Sequence, residues 1–124
     1  MRRAYDAMNR GDWDAALENA HPDVTWTTAP QVPNAGTYEG RDAMRDFLED
    51  QREPFDSFTL EVDESFAKDD QVLLFLNVRA RPKGASKEVE VEIAHLWTFR
   101  DGKAAAGQSF PDRRDAVEAA RIEI

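Results

Sequence analysis

Apolar and polar residues alternate most regularly in the second half of the chain. Val72, Leu74, Leu76 and Val78 interleave with Leu73, Phe75, Asn77 and Arg79, and Val89, Val91 and Ile93 interleave with Glu88, Glu90 and Glu92. A period of two is that of a strand with distinct faces, so Gln71 to Arg81 and Lys87 to Arg100 read as long strands separated by a loop over Pro82 to Ser86. Phe58, Leu60 and Val62 predict another strand, followed by a turn at Asp69-Asp70. Asp101-Gly102 predicts a two-residue hairpin turn into a last strand over Lys103 to Phe110. The first half carries the helical period instead. Ala4, Tyr5 and Met8 form one stripe up to Gly11, and Asp12 caps a second helix through Trp13, Ala16, Leu17 and Ala20. Met44, Phe47 and Leu48 mark a third helix over about Arg41 to Arg52, stopped by Pro54. Val24 to Ala29 reads as a short strand, and Pro30 to Gly40, with two prolines and two glycines, as a loop. Asp112 opens a closing helix through Ala116 and Ala120. Helices followed by strands predict a single α+β domain over residues 1–124, a curved antiparallel sheet with helices packed on one side.

Charge sets the expected pairing. Arg81 opposite Glu88, Arg79 opposite Glu90 and Asn77 opposite Glu92 bring complementary side chains together. That register places Leu74 beside His95 and Val72 beside Trp97. The Asp101-Gly102 turn then sets Trp97 against Ala106, His95 against Gln108 and Ile93 against Phe110. Two polar side chains thus share an otherwise apolar face, and an unpartnered polar group there costs about 1–3 kcal/mol. The reverse face carries Leu73, Phe75, Ala94, Leu96, Ala105, Gly107 and Ser109. This flat patch of apolar and small residues, left open by helices on the first face, is expected to form a homodimer contact.

Composition narrows the function. The 124 residues suffice for one core, and the absence of cysteine removes disulfide and thiolate chemistry. Two histidines with no metal-ligand spacing argue against a metal, and no cofactor is expected. A net charge of −9 opposes binding to nucleic acid or to an anionic membrane. No apolar run approaches the roughly 20 residues of a membrane span, and Met1 to Arg10 lacks a signal-peptide core. A soluble cytoplasmic protein is the expectation.

The segment Arg3-Ala4-Tyr5-Asp6-Ala7-Met8-Asn9-Arg10-Gly11-Asp12-Trp13-Asp14 resembles the opening of nuclear transport factor 2-like proteins. Pro22-Asp23-Val24-Thr25-Trp26, Gly36-Thr37-Tyr38-Glu39-Gly40-Arg41, Trp97-Thr98-Phe99-Arg100-Asp101-Gly102-Lys103 and Asp112-Arg113-Arg114-Asp115-Ala116 follow in the order seen there. Within that group the chain is most similar to the SnoaL-like and ketosteroid isomerase-like branch. The resemblance implies a cone-shaped roll of the cystatin and ketosteroid isomerase kind, with a curved sheet wrapped around three N-terminal helices and an internal pocket, and it implies dimerisation through the sheet. The first helix is short for that group, as expected of a chain that starts a turn or two late. Carrying the isomerase residues across puts Thr28 where a general-base aspartate stands, Ala4, next to Tyr5, where a tyrosine stands, and His95 where a protonated aspartate stands. That isomerisation is therefore not expected intact.

Against this background His95 is the candidate proton carrier, because a desolvated neutral imidazole suits acid–base work near neutral pH. Gln108 is a candidate orienter or oxyanion donor. Asp112 is a candidate acid at the pocket rim, or a helix cap. Tyr5 and Thr28 are candidate hydroxyl donors to a ligand. Trp26, Tyr38, Phe47, Phe58 and Trp97, with Leu76, Val78, Ile93 and Phe110, are expected to line an apolar pocket. His21 and Trp13 read as structural. The expected function is binding of a small, fairly apolar molecule and its conversion by isomerase-, cyclase- or hydratase-type chemistry. The alternative is a non-catalytic ligand-binding or dimerisation module.

Overall fold

The structure is a computed structural model that describes residues 2–28 and 36–122. Helix α1 (Arg2–Asn9) buries Tyr5, Ala7 and Met8. Asp12 caps α2 (Trp13–Ala16), its carboxylate accepting from the Ala15 N–H at 3.2 Å. The expected run of α2 to Ala20 is not made. The chain leaves the helix after one turn because Ala20 already pairs with Ala104, and strand β1 covers Ala20–Thr27. Part of the expected loop is a strand as well, since β2 (Thr37–Glu39) pairs with β1. Ala29 and the loop positions up to Ala35 lie outside the described residues. Helix α3 (Arg41–Arg52) turns Met44, Phe47 and Leu48 inward.

Four strands complete the sheet: β3 (Phe55–Lys68), β4 (Gln71–Pro82), β5 (Val89–Arg100) and β6 (Lys103–Phe110). Their order is β2-β1-β6-β5-β4-β3 in one curved, unclosed sheet. It is not wholly antiparallel, because β1 runs parallel to β6. The β4–β5 register has Leu74 opposite His95, Asn77 opposite Glu92 and Arg79 opposite Glu90. Arg79 nevertheless reaches the other way, to Glu61 on β3 at 3.4 Å.

The β5–β6 register departs from the expected one. Arg100 pairs with Lys103 across a turn in which Asp101 and Gly102 have φ of 56° and 76°, as a type I′ turn requires. Ala104 then pairs with Phe99 but Ala106 with Thr98, leaving Ala105 as an extra, unpaired residue. Such a bulge shifts every later side chain to the opposite face. His95 therefore faces Ser109, Trp97 faces Gly107, and Gln108 and Phe110 fall beside Leu96 and Ala94 on the reverse side.

Helix α4 (Arg113–Ala120) closes the chain and corrects the expected open patch. Leu73, Phe75, Ala94 and Leu96 are buried under Ala116, Ala120 and Ile122, with Phe66, Phe110 and Val117 packed around them. The helices therefore lie on both faces of the sheet, α1 and α3 inside and α4 outside. The patch expected to hold a second copy is filled by the chain's own C-terminal helix. Gly107 is not part of it, since it lies on the inner face. Among the described residues no helix is long and apolar enough to cross a membrane.

Candidate active site

The inner face of the sheet and helices α1 and α3 enclose a cavity of about 560 Å³. Large apolar side chains prop these layers apart. Trp26, Phe47, Phe58 and Trp97 line the cavity, with Val78 and Ile93 from the sheet. Its exposed members, Asp50, Pro54, Val91 and Pro111, mark the open end, with Phe55 half-buried beside them. The buried members Tyr5, His95 and Trp97 mark the closed end. A volume of this size suits a small organic ligand.

The closed end holds a short hydrogen-bond chain. The Trp97 indole N–H donates to the Tyr5 hydroxyl at 2.9 Å, and that hydroxyl lies 2.6 Å from His95 Nδ1. An indole nitrogen can only donate, so the Tyr5 oxygen accepts there. The phenol's own proton has no acceptor among the described residues other than Nδ1, and donating to it is the arrangement that leaves neither of these two buried donors unpaired. This network assigns the imidazole proton to Nε2. His95 Nε2 has no partner among the described residues and is not sealed from the cavity it lines. Burial pushes the His95 pKa down to about 3 and pushes the Tyr5 phenol up, with the Trp97 hydrogen bond acting weakly the other way. Both groups are therefore neutral at physiological pH. His95 also stands edge-on to Trp26, with ring centroids 4.7 Å apart.

The other candidate residues divide. Thr28 lines the cavity, but its hydroxyl accepts from the Gly36 N–H at 3.0 Å and donates to the Gly36 carbonyl at 3.4 Å. Tyr38 packs on Phe47 at 4.7 Å outside the cavity wall, and Leu76 is sealed in the core behind it. Gln108 is exposed on the reverse face, and Phe110 packs toward α4. Both lost their place to the bulge at Ala105. Asp112 caps α4, accepting from the Arg114 N–H at 2.8 Å and contacting the Arg114 side chain, which holds its carboxyl below the usual range. Ala4 does not line the cavity; the phenol there is that of Tyr5.

The strand period missed Ser109, which the bulge sets beside His95, and Met8, Met44 and Leu48, whose helical stripes were legible but not their cavity. One further polar atom is unusual. The Trp26 indole N–H is buried and has no hydrogen-bond partner among the described residues.

The sequence model of the SnoaL-like domain matches residues 1–107. No curated protein matches the chain. Among solved structures, an NTF2-like protein from Burkholderia thailandensis is 26% identical with a TM-score of 0.80, over 96% of this chain and 92% of that one. TerC, co-crystallised with polyporic acid, is 22% identical with a TM-score of 0.80, over 98% and 95%. A protein with a ketosteroid isomerase-like fold from Catenulispora acidiphila, in complex with trimethylamine, is 16% identical with a TM-score of 0.78, over 88% and 82%.

Proposed function

The chain belongs to the SnoaL-like family, within the nuclear transport factor 2-like and ketosteroid isomerase-like fold, and from that premise we propose that its cavity binds a small, largely apolar molecule and polarises one carbonyl or phenolic oxygen at His95. The carrying observation is the Trp97–Tyr5–His95 chain at the closed end of an otherwise apolar hollow. The ligand's ring system lies among Trp26, Phe47 and Phe58. Its oxygen accepts from His95 Nε2, whose tautomer Tyr5 holds. A donor fixed in a water-poor site acts most strongly on an oxygen that gains negative charge, as in enolisation or cyclisation. With its pKa near 3, His95 is a weak base, so the proton-carrier role gives way to that of a neutral donor. Small molecules held by TerC and by the Catenulispora protein support reading the cavity as a ligand site. A homodimer through the outer sheet face is not part of this reading, because α4 occupies that face.

A second reading, binding without turnover, is favoured by one feature. The cavity's carboxylate, Asp50, lies at the open end, and Thr28 stands committed to Gly36 where a base would be needed. One titration separates the two. The probe is 2-tetralone, an enolisable fused-ring ketone, followed by quenching of Trp26 and Trp97 fluorescence and by NMR of hydrogen–deuterium exchange at its α-carbon. Saturable quenching that is lost in His95→Phe and unchanged between about pH 5 and 8 is expected. Accelerated exchange supports polarisation, and binding without it supports the second reading. The absence of saturable quenching across ring ketones, quinones and phenols overturns both.

A further inference from the structure

We infer that Gly107 is a positioning residue. By having no side chain it lets Trp26 and Trp97 close over it as one aromatic floor, and it thereby holds Trp97 on Tyr5 and the closed end in register. This inference rests on the cavity reading above for its consequence, but not for its geometry.

Gly107 sits in the sheet between the two tryptophans, paired with Trp26 of β1 on one side and Trp97 of β5 on the other. Residues two strands apart are separated by roughly 9–10 Å. The two indole centroids are only 5.2 Å apart, so both rings lean inward over the intervening strand. A Cβ at 107 would lie 2.6 Å from Trp26 Cε3 and 2.6 Å from Trp97 Cζ3, distances at which the rings must move. Backbone conformation does not call for glycine here, because its φ is outside the left-handed region that marks Gly11, Gly40, Gly84 and Gly102. A strand glycine is otherwise a cost of about 0.5–1 kcal/mol. Contact with the indoles is what offsets it.

The bulge at Ala105 belongs to the same device. Without it, Ala106 would face Trp97, as the plain hairpin register predicts, and its methyl would occupy the space that the rings share. With it, the glycine arrives between the tryptophans and Ser109 arrives at His95. Trp97 then leans far enough for its N–H to reach the Tyr5 hydroxyl.

The test is Gly107→Ala in the full chain, read first without ligand. Two indoles this close couple their transitions and give paired circular-dichroism bands of opposite sign. We expect that couplet to be lost, as in Trp26→Phe. The chain has two histidines, so ¹⁵N-histidine labelling with His21→Gln for assignment isolates the His95 ring. Its Nδ1 resonance should shift as the Tyr5 hydrogen bond loosens, and 2-tetralone affinity should fall about tenfold. A folded Gly107→Ala protein that keeps the couplet and the His95 shifts overturns the proposal. Loss of both signals with 2-tetralone binding intact upholds Gly107 as the organiser of the floor and sinks the ligand reading instead. If Gly107→Ala does not fold, the Trp26→Ala/Gly107→Ala double variant decides. It should fold, because Trp97 can tilt into the vacated space, and its failure would show that the glycine serves something other than the indoles.

Discussion

Strands β4 and β5 carry two apolar faces built from alternate residues, and the two have opposite fates. On the outer face Leu73, Phe75, Ala94 and Leu96 are sealed. On the inner face Leu74, Leu76, His95 and Trp97 look toward helices that leave a cavity of about 560 Å³. The faces differ little in hydrophobicity; what differs is the layer that covers each. Helix α4 presents alanines, so it can lie close on the sheet, and Ala116 is fully buried. Inside, Trp26, Phe47 and Phe58 hold sheet and helix apart. Small residues close a face, and large rings prop one open.

The largest expected effect breaks the closed face. Ala116→Glu forces a carboxylate between α4 and Leu73, Phe75, Ala94 and Leu96. An unpaired buried charge or a displaced helix should cost on the order of 4 kcal/mol. Denaturant unfolding should show the loss, and light scattering should show self-association as the apolar patch is uncovered. A variant that keeps the parent's size in solution and its full stability means that α4 contributes little to the fold.

That outer face also shows what a sequence can and cannot carry. The β4–β5 register was legible because Asn77 and Arg79 stand opposite Glu92 and Glu90. The helices were legible from their stripes, and the family from the order of several short motifs. The β6 register was not. A single extra residue at Ala105 looks like any other alanine, yet it moves Gln108 and Phe110 outward and brings Gly107 and Ser109 in. The apolar residues of α4 were visible, but nothing local says which face they seek. Tyr5 meets His95 across 90 positions of sequence, a contact that helical phase alone cannot specify.

The inner face should reveal itself through pH. The folded state keeps His95 neutral down to about pH 3, whereas in the unfolded chain the imidazole protonates at its ordinary value near 6.5. Between those limits the unfolded state binds more protons, so stability falls as pH drops through about 6.5 and levels off near 3. At pH 4 the loss relative to pH 7 should be on the order of 3 kcal/mol. Carboxylates contribute their own slope, so the comparison is with His95→Gln, whose acid dependence should be visibly shallower in denaturant melts. Parallel slopes would place the imidazole in contact with water.

Tyr5→Phe sharpens the same point with a smaller change. It removes one oxygen and leaves the Trp97 N–H and His95 Nδ1 without their partner. The expected destabilisation is about 1–3 kcal/mol. Tyr5→Phe combined with His95→Phe should cost less than the sum of the single changes, because an apolar pair leaves fewer polar atoms stranded. Strict additivity would mean that the two side chains do not act as a unit.

The smallest effects compare two arginines that both reach β3 on the outer side. Arg113 is half-buried and lies over the Phe75 ring. It donates to the Leu76 carbonyl and to Asp63 at 3.0 Å each, and to the Ile93 carbonyl at 3.3 Å. It pins α4 across three strands. Arg79 meets Glu61 at 3.4 Å with both side chains about half exposed. Arg113→Met should therefore cost about 1–2 kcal/mol; the share from the Leu76 and Ile93 carbonyls should survive high salt, while the share from Asp63 and from Glu92 at 3.5 Å should be screened. Glu61→Gln should cost less than about 0.5 kcal/mol, and that small loss should disappear in high salt. If the two variants lose equal stability and respond equally to salt, surface charge rather than the anchoring of α4 is what holds the outer face, and the contrast between the sealed and the open side of this sheet fails.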